Sequence, residues 1–273
     1  MADAIVHGVR LHYQRIGAEG SATRVVFVHG LVMDNLASWY FSVANTVASS
    51  ADVLLYDLRG HGRSEHTPHG YGVDRMLGDL AGLLDATLGR APVCVVGNSF
   101  GALLAVAFAR AFPGRTSGLV LVDGHLGGDG FGAGMARTLS LRGEDADRAI
   151  AASFRGWLGR HSERKRTRLA DQARALVERT SLVRDLLATP PFTPNDFRQI
   201  DVPVLAMYGE HSDIRAQSES LLAHVPRCRI EVLPGCTHSI LWEATAEVRA
   251  RTAAFCASLP RPTSAPAPTE VCA

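Results

Sequence analysis

Six short runs rich in valine and leucine constrain this chain more than any other feature: Val25 to Val28, Val53 to Tyr56, Val93 to Val96, Leu119 to Val122, Val204 to Tyr208 and Ile230 to Leu233. Each ends at a turn-forming or polar residue: His29-Gly30, Asp57, Gly97, Asp123, Gly209 and Pro234-Gly235 respectively. Runs this short and this apolar suit strands buried on both faces, since a strand with one wet face would alternate. Segments of helical spacing lie between them. Val73 to Leu88 sets Met76, Leu77, Leu80, Leu83, Leu84 and Leu88 on one side, and Ala102 to Phe112 is almost wholly apolar. Ser218 to His224 and Glu243 to Leu259 continue the pattern. Strand–helix alternation predicts an α/β architecture with a mostly parallel sheet and helices on both faces. Residues 5–16 predict an antiparallel hairpin closed at His7-Gly8.

The alternation breaks between about 124 and 198. A glycine-rich stretch, 124–134, leads into charged amphipathic segments, Ala146 to Leu158 and Glu163 to Leu187, and then into Pro190, Pro191 and Pro194. This predicts a helical cap, 124–198, inserted into a core made of 1–123 and 199–258. A Pro/Ala-rich disordered tail is expected over 259–273. With 273 residues, 47% of them apolar and 20% charged, the chain can bury a full core unaided.

Composition also narrows the partners. A formal net charge of +1 gives no footprint for nucleic acid or an anionic membrane. Five cysteines, at 94, 228, 236, 256 and 272, are odd in number and scattered, which argues against a disulfide framework or a structural zinc. No metal or other cofactor is expected. The first residues lack the basic start and apolar run of a signal peptide, so a cytoplasmic location is expected.

The chemistry concentrates at Gly97-Asn98-Ser99-Phe100-Gly101. The pentapeptide follows a strand run and opens a helical one, the context in which Gly-x-Ser-x-Gly presents a nucleophilic serine on a sharp turn. Glycines flank it because side chains there would collide with neighbouring backbone. A tetrahedral oxyanion needs two donors fixed in advance. The N–H of Phe100 supplies one candidate. His29-Gly30-Leu31 after the first buried strand supplies the other, from Leu31 with Val32 close behind.

Of eleven histidines, His238 is the expected base for Ser99, because its loop follows the last strand and precedes the last helix. His61 reads as a brace for the loop Arg59 to Ser64. His29 and His125 are expected to line the site, with Val32, Met33, Asn98 and Trp157 as further substrate contacts. The histidine needs a carboxylate to hold its tautomer. Asp213 comes first, since it follows the 204–208 run and keeps the order serine, acid, histidine. Asp123 is the rival and Glu210 a third choice.

His29-Gly30, Asp57 to Ser64, the Gly97–Gly101 pentapeptide, Asp213, and His238 with Glu243 five residues on resemble the α/β-hydrolase superfamily over residues 5–258. The resemblance implies an eight-stranded, mostly parallel sheet, with substrate bound between cap and sheet. A serine nucleophile favours esterases, thioesterases, lactonases, amidases and C–C bond hydrolases over relatives that use aspartate there. The elbow is similar to that of meta-cleavage-product hydrolases, although Ala102 stands where those enzymes carry another glycine. The expected activity is cleavage of an ester or thioester with a partly apolar acyl group, free or carried on a carrier protein, with secondary metabolism as one setting. A C–C hydrolase, a non-hydrolytic cyclase or lyase, and a non-catalytic ligand-binding protein are the alternatives. Oligomeric state is left open.

Overall fold

In the computed structural model, residues 1–141, 143–145 and 163–260 are described. Eight strands form one sheet: β1 (Ala2–Val6), β2 (Val9–Gly17), β3 (Arg24–Val28), β4 (Asp52–Tyr56), β5 (Val93–Asn98), β6 (Thr116–Val122), β7 (Val204–Gly209) and β8 (Cys228–Leu233). Their spatial order is β1-β2-β4-β3-β5-β6-β7-β8. The β1–β2 and β2–β4 pairs are antiparallel and the other five are parallel. The predicted hairpin closes at His7, with φ 49°, and Gly8, with φ 80°.

Successive side chains of a strand point to opposite faces, so a buried strand feeds two cores. Val26, Val28, Leu54, Tyr56, Val95, Leu119, Leu121 and Tyr208 enter one core, beneath the helices Val73–Thr87 and Phe100–Ala111. Val25, Phe27, Val53, Leu55, Val96, Val120, Val122 and Met207 enter the other. That second core is covered by Trp39, Val43 and Val47, from helical turns over 36–47, and by Val248 and Cys256 of the helix Thr245–Ser258. The turns over 36–47 were not foreseen. Asn35 starts them, its side-chain oxygen accepting from the Ala37 N–H at 3.0 Å, and Leu36, Trp39 and Val43 then face the sheet.

Between β6 and β7 the described residues contain helices and no strand: Phe131–Leu139, Glu163–Arg179, Leu182–Leu187 and Pro194–Arg198. The segment expected to be helical over Ala146 to Leu158 lies outside the described residues, as do 261–273. Leu259, expected in the disordered tail, is instead buried in the second core, because Gly118 of β6 leaves room for its side chain. The helix expected over Glu243 to Leu259 runs over Thr245–Ser258, and a short helix, Ile240–Glu243, precedes it across a break at Ala244 with φ −125° and ψ 45°.

The chain leaves β3 for β4 on one side and returns for β5 on the other. A crevice opens at such a reversal, outside the carboxyl ends of the strands. The loops after β3 and β5, which carry His29-Gly30 and Ser99, flank it.

Candidate active site

Ser99 sits between β5 and the helix Phe100–Ala111, with φ 50° and ψ −117°. A non-glycine residue in this region is strained and needs its surroundings to hold it. Two close approaches do so. A Cβ on Gly97 would lie 2.3 Å from the backbone of Gly101, and one on Gly101 would lie 2.2 Å from Val28 O. The flanking glycines are therefore required by strand–helix contact, as the sequence pattern predicts.

The hydroxyl of Ser99 lies 3.1 Å from His238 Nε2, although the two residues are far apart in sequence. Asp123 Oδ1 lies 2.8 Å from His238 Nδ1. The expectation that Asp213 would orient the histidine is corrected here. Asp213 is exposed and makes no hydrogen bond or ion pair among the described residues, whereas Asp123 is 1% exposed and turned toward the histidine by a positive φ of 43°. Its carboxylate also accepts from the Gly209 N–H at 2.7 Å and from the Ser212 hydroxyl at 2.6 Å. Glu210, the third choice, accepts from the Gly235 N–H instead.

Burial pushes the His238 imidazole down, but the Asp123 hydrogen bond and charge, joined by the charges of Asp213 and Glu243, carry it above the ordinary histidine value. His125 is held down to about 4, chiefly by burial and further by His238, its ring centroid 6.1 Å from that of His238. It also packs edge-on against Phe131 of the helix Phe131–Leu139. His125 is neutral at the pH where His238 works.

Two main-chain donors flank the hydroxyl. The Phe100 N–H opens a helix, so no intrahelical acceptor exists for it. The Leu31 N–H has no partner among the described residues. Val32, the alternative donor, is excluded: its N–H donates to His61 Nε2 at 2.9 Å. His61 in turn donates from Nδ1 to Arg59 O, and burial holds its ring neutral, down to about 3. It is the loop brace that the sequence suggests.

His29, expected to line the site, does not. It is 0% exposed, donates from Nδ1 to Gly30 O at 2.7 Å and accepts at Nε2 from the Leu58 N–H at 3.0 Å. Both ring nitrogens are thus spent within the protein, Nδ1 inside the β3 loop and Nε2 tying that loop to the one after β4. Val32 is also absent from the cleft walls and packs against Met33 and Leu169.

The cleft above Ser99 encloses about 50 Å³ and opens to solvent. Met33 and Asn98 line it as expected, with Leu31, Val122, Leu241 and Trp242 supplying the rest of the apolar wall. Leu169, on the helix Glu163–Arg179, clusters with Met33, and Trp242 packs against that cluster. Trp157 lies outside the described residues.

Sequence reasoning missed Asp34. Its carboxylate accepts from the Gly30 N–H at 3.0 Å, the Asn35 N–H at 2.8 Å, the Ser38 hydroxyl, and Asn98 Nδ2 at 3.3 Å. It thereby ties the β3 loop to the nucleophile turn. The signal available was an aspartate four residues after Gly30 and four before Ser38, the spacing of a loop that caps its own helix. Among the described residues no cluster of three His, Cys, Asp or Glu side chains is arranged to hold a metal ion. No described helix is long and apolar enough to cross a membrane.

The sequence pattern of the alpha/beta hydrolase family matches residues 25–251, most of the chain. The chain belongs to the α/β-hydrolase family. Its relatives are hydrolases of several kinds. It is 38% identical over 122 residues to lipase LipV of Mycobacterium tuberculosis, covering 45% of this chain and 44% of that protein. It is 28% identical over 253 residues to a 2-hydroxy-6-oxononadienedioate/2-hydroxy-6-oxononatrienedioate hydrolase of Cupriavidus pinatubonensis, covering 86% of each. With several of its curated relatives, LipV among them, the match spans under half of the relative's length. Among solved structures, the enol-lactonase of Burkholderia xenovorans superposes with a TM-score of 0.74 at 26% identity, covering 93% of this chain and 99% of that one. Within this α/β-hydrolase fold the carboxylate beside the histidine follows β6.

Proposed function

We propose that this α/β-hydrolase is a serine hydrolase that cleaves an ester or thioester of a small, partly apolar acyl substrate through an acyl-enzyme. The reading rests on one observation, the unbroken series of hydrogen-bond contacts from Ser99 through His238 to Asp123 beside two free main-chain N–H groups.

The chemistry follows from the geometry. The Ser99 hydroxyl is within reach of a base whose neutral ring accepts at Nε2 while Nδ1 donates to Asp123. Ser99 attacks the substrate carbonyl as His238 takes its proton. The Leu31 and Phe100 N–H groups hold the oxyanion, an arrangement for which each donor is worth about 10²–10³-fold in rate. Protonated His238 gives its proton to the departing alkoxide or thiolate, the acyl group stays on Ser99, and water activated by His238 then releases the acid. Met33, Val122, Leu241 and Trp242 suit an apolar acyl chain. The substrate is a small molecule, free or borne on a carrier protein, and no cofactor enters the reaction.

The long match to the Cupriavidus hydrolase supports a second reading, cleavage of a carbon–carbon bond beside a carbonyl at the same serine. A substrate panel separates the two, with p-nitrophenyl esters and acyl-thioesters on one side and a dienoate on the other. Ser99→Ala tests the shared core of both. It should lower kcat on p-nitrophenyl butyrate by about 10⁴-fold or more with the melting temperature unchanged, and abolish labelling by a fluorophosphonate probe. Wild-type turnover by purified Ser99→Ala would overturn the reading.

A further inference from the structure

The loop after β7 supplies no acid to His238, but it is built against the acid. A Cβ on Gly209 would lie 2.2 Å from Thr237 O, next to His238 in sequence. The His211 N–H donates to Cys236 O at 2.8 Å, and the Gly235 N–H donates to Glu210 at 2.8 Å. The Ser212 N–H closes a tight turn onto Gly209 O at 3.1 Å. The loops after β7 and β8 are thus fastened together, and Ser212 is fixed relative to His238.

Its hydroxyl donates to Asp123 Oδ1 at 2.6 Å, the same oxygen that lies 2.8 Å from His238 Nδ1. An ionised carboxylate only accepts, so the hydroxyl must donate. We infer that Ser212 is a positioning residue for the base: by sharing one oxygen of Asp123 with His238 it sets how strongly that oxygen holds the imidazole. The inference rests on the proposed roles of Ser99, His238 and Asp123 and adds a fourth member.

Two consequences follow. A carboxylate oxygen relieved of one donor holds the remaining one more strongly, so losing the Ser212 hydroxyl favours the protonated histidine. The titratable groups facing His238 are Asp123 after β6, His125 in the loop beyond it, Asp213 after β7 and Glu243 at the end of the helix Ile240–Glu243. None of these changes in a Ser212 variant, so a shift in the base is assignable to the shared oxygen. In addition, because the side chains at 212 and 238 meet on one atom, a carboxylate at 212, one atom longer than serine, can reach the imidazole itself.

The experiment is the pH–rate profile on p-nitrophenyl butyrate, with fluorophosphonate labelling run alongside. Ser212→Ala should move the acidic limb upward by about half a pH unit with KM unchanged, and Ser212→Thr, which keeps a hydroxyl, should restore it. In an Asp123→Gly background, whose backbone glycine tolerates, activity should fall by about 10⁴-fold, and adding Ser212→Asp should recover at least tenfold of it. If that background fails to fold, the alanine–threonine comparison decides alone. An acidic limb that stays in place in Ser212→Ala, or no recovery in a folded double variant, would overturn the inference. Either result with Ser99 still labelled leaves the parent reading standing, whereas lost labelling in wild type strikes the parent reading.

Discussion

β6 and β7 lie side by side, pair in parallel and end at the same rim, yet they deliver opposite things to His238. β6 is followed at once by Asp123, whose N–H donates to Met207 O at 2.7 Å and whose positive φ turns a buried carboxylate onto the imidazole. β7 ends in Gly209, which approaches the His238 loop closely and offers an N–H, followed by a serine that offers a hydroxyl. Asp213, four residues past Gly209, is already out in solvent. The lesson is that the residue at the strand's carboxyl end, and the direction its backbone takes, decides which strand supplies the charge. Sequence order allows either, because both aspartates lie between Ser99 and His238.

Three variants break or sharpen this contrast. The largest effect is expected from Asp123→Asn, which keeps the shape but loses the charge and presents the wrong group to Nδ1. kcat should fall by about 10⁴-fold, with ester hydrolysis at saturating substrate as the measurement. Next is Gly209→Ala at the β7 end. Its new methyl would meet Thr237 O and push the His238 loop outward, lowering kcat by about 10²-fold together with the melting temperature. The smallest effect is expected from Asp213→Asn, less than about threefold in kcat, since an exposed charge acts through screened solvent. The sign of its pH effect is fixed all the same. Asp213 helps hold the His238 proton, so removing its charge lets the base become neutral at lower pH and moves the acidic limb of kcat/KM downward. A large loss from Asp213→Asn, or a mild one from Asp123→Asn, would reverse the assignment.

Much of the frame was legible because burial on both faces leaves a plain signature. The runs 25–28, 53–56, 93–96, 119–122 and 204–208 are strands within a few residues, and their alternate side chains fill two cores. Ser99 was legible because the backbone contacts of Gly97 and Gly101 admit no side chain. His238 was legible because its loop had to end at the same rim. The carboxylate was not, since nothing in the string Val-Asp-Gly-His announces that Asp123 adopts φ 43°. His29 misled for a related reason. Its position beside Gly30 suggests the cleft, but its two nitrogens are consumed by Gly30 O and the Leu58 N–H. Trp242 in the cleft wall lies on the short helix Ile240–Glu243, which a break at Ala244 separates from the following helix.

The most direct test of the whole account watches the Asp123–His238 hydrogen bond itself. With His238 protonated, below its raised pKa, the proton on Nδ1 should give a strongly downfield proton NMR resonance in the wild-type enzyme. The account predicts that this resonance persists in Asp213→Asn and disappears in Asp123→Asn. Its survival in Asp123→Asn and loss in Asp213→Asn would contradict the geometry on which everything here is built.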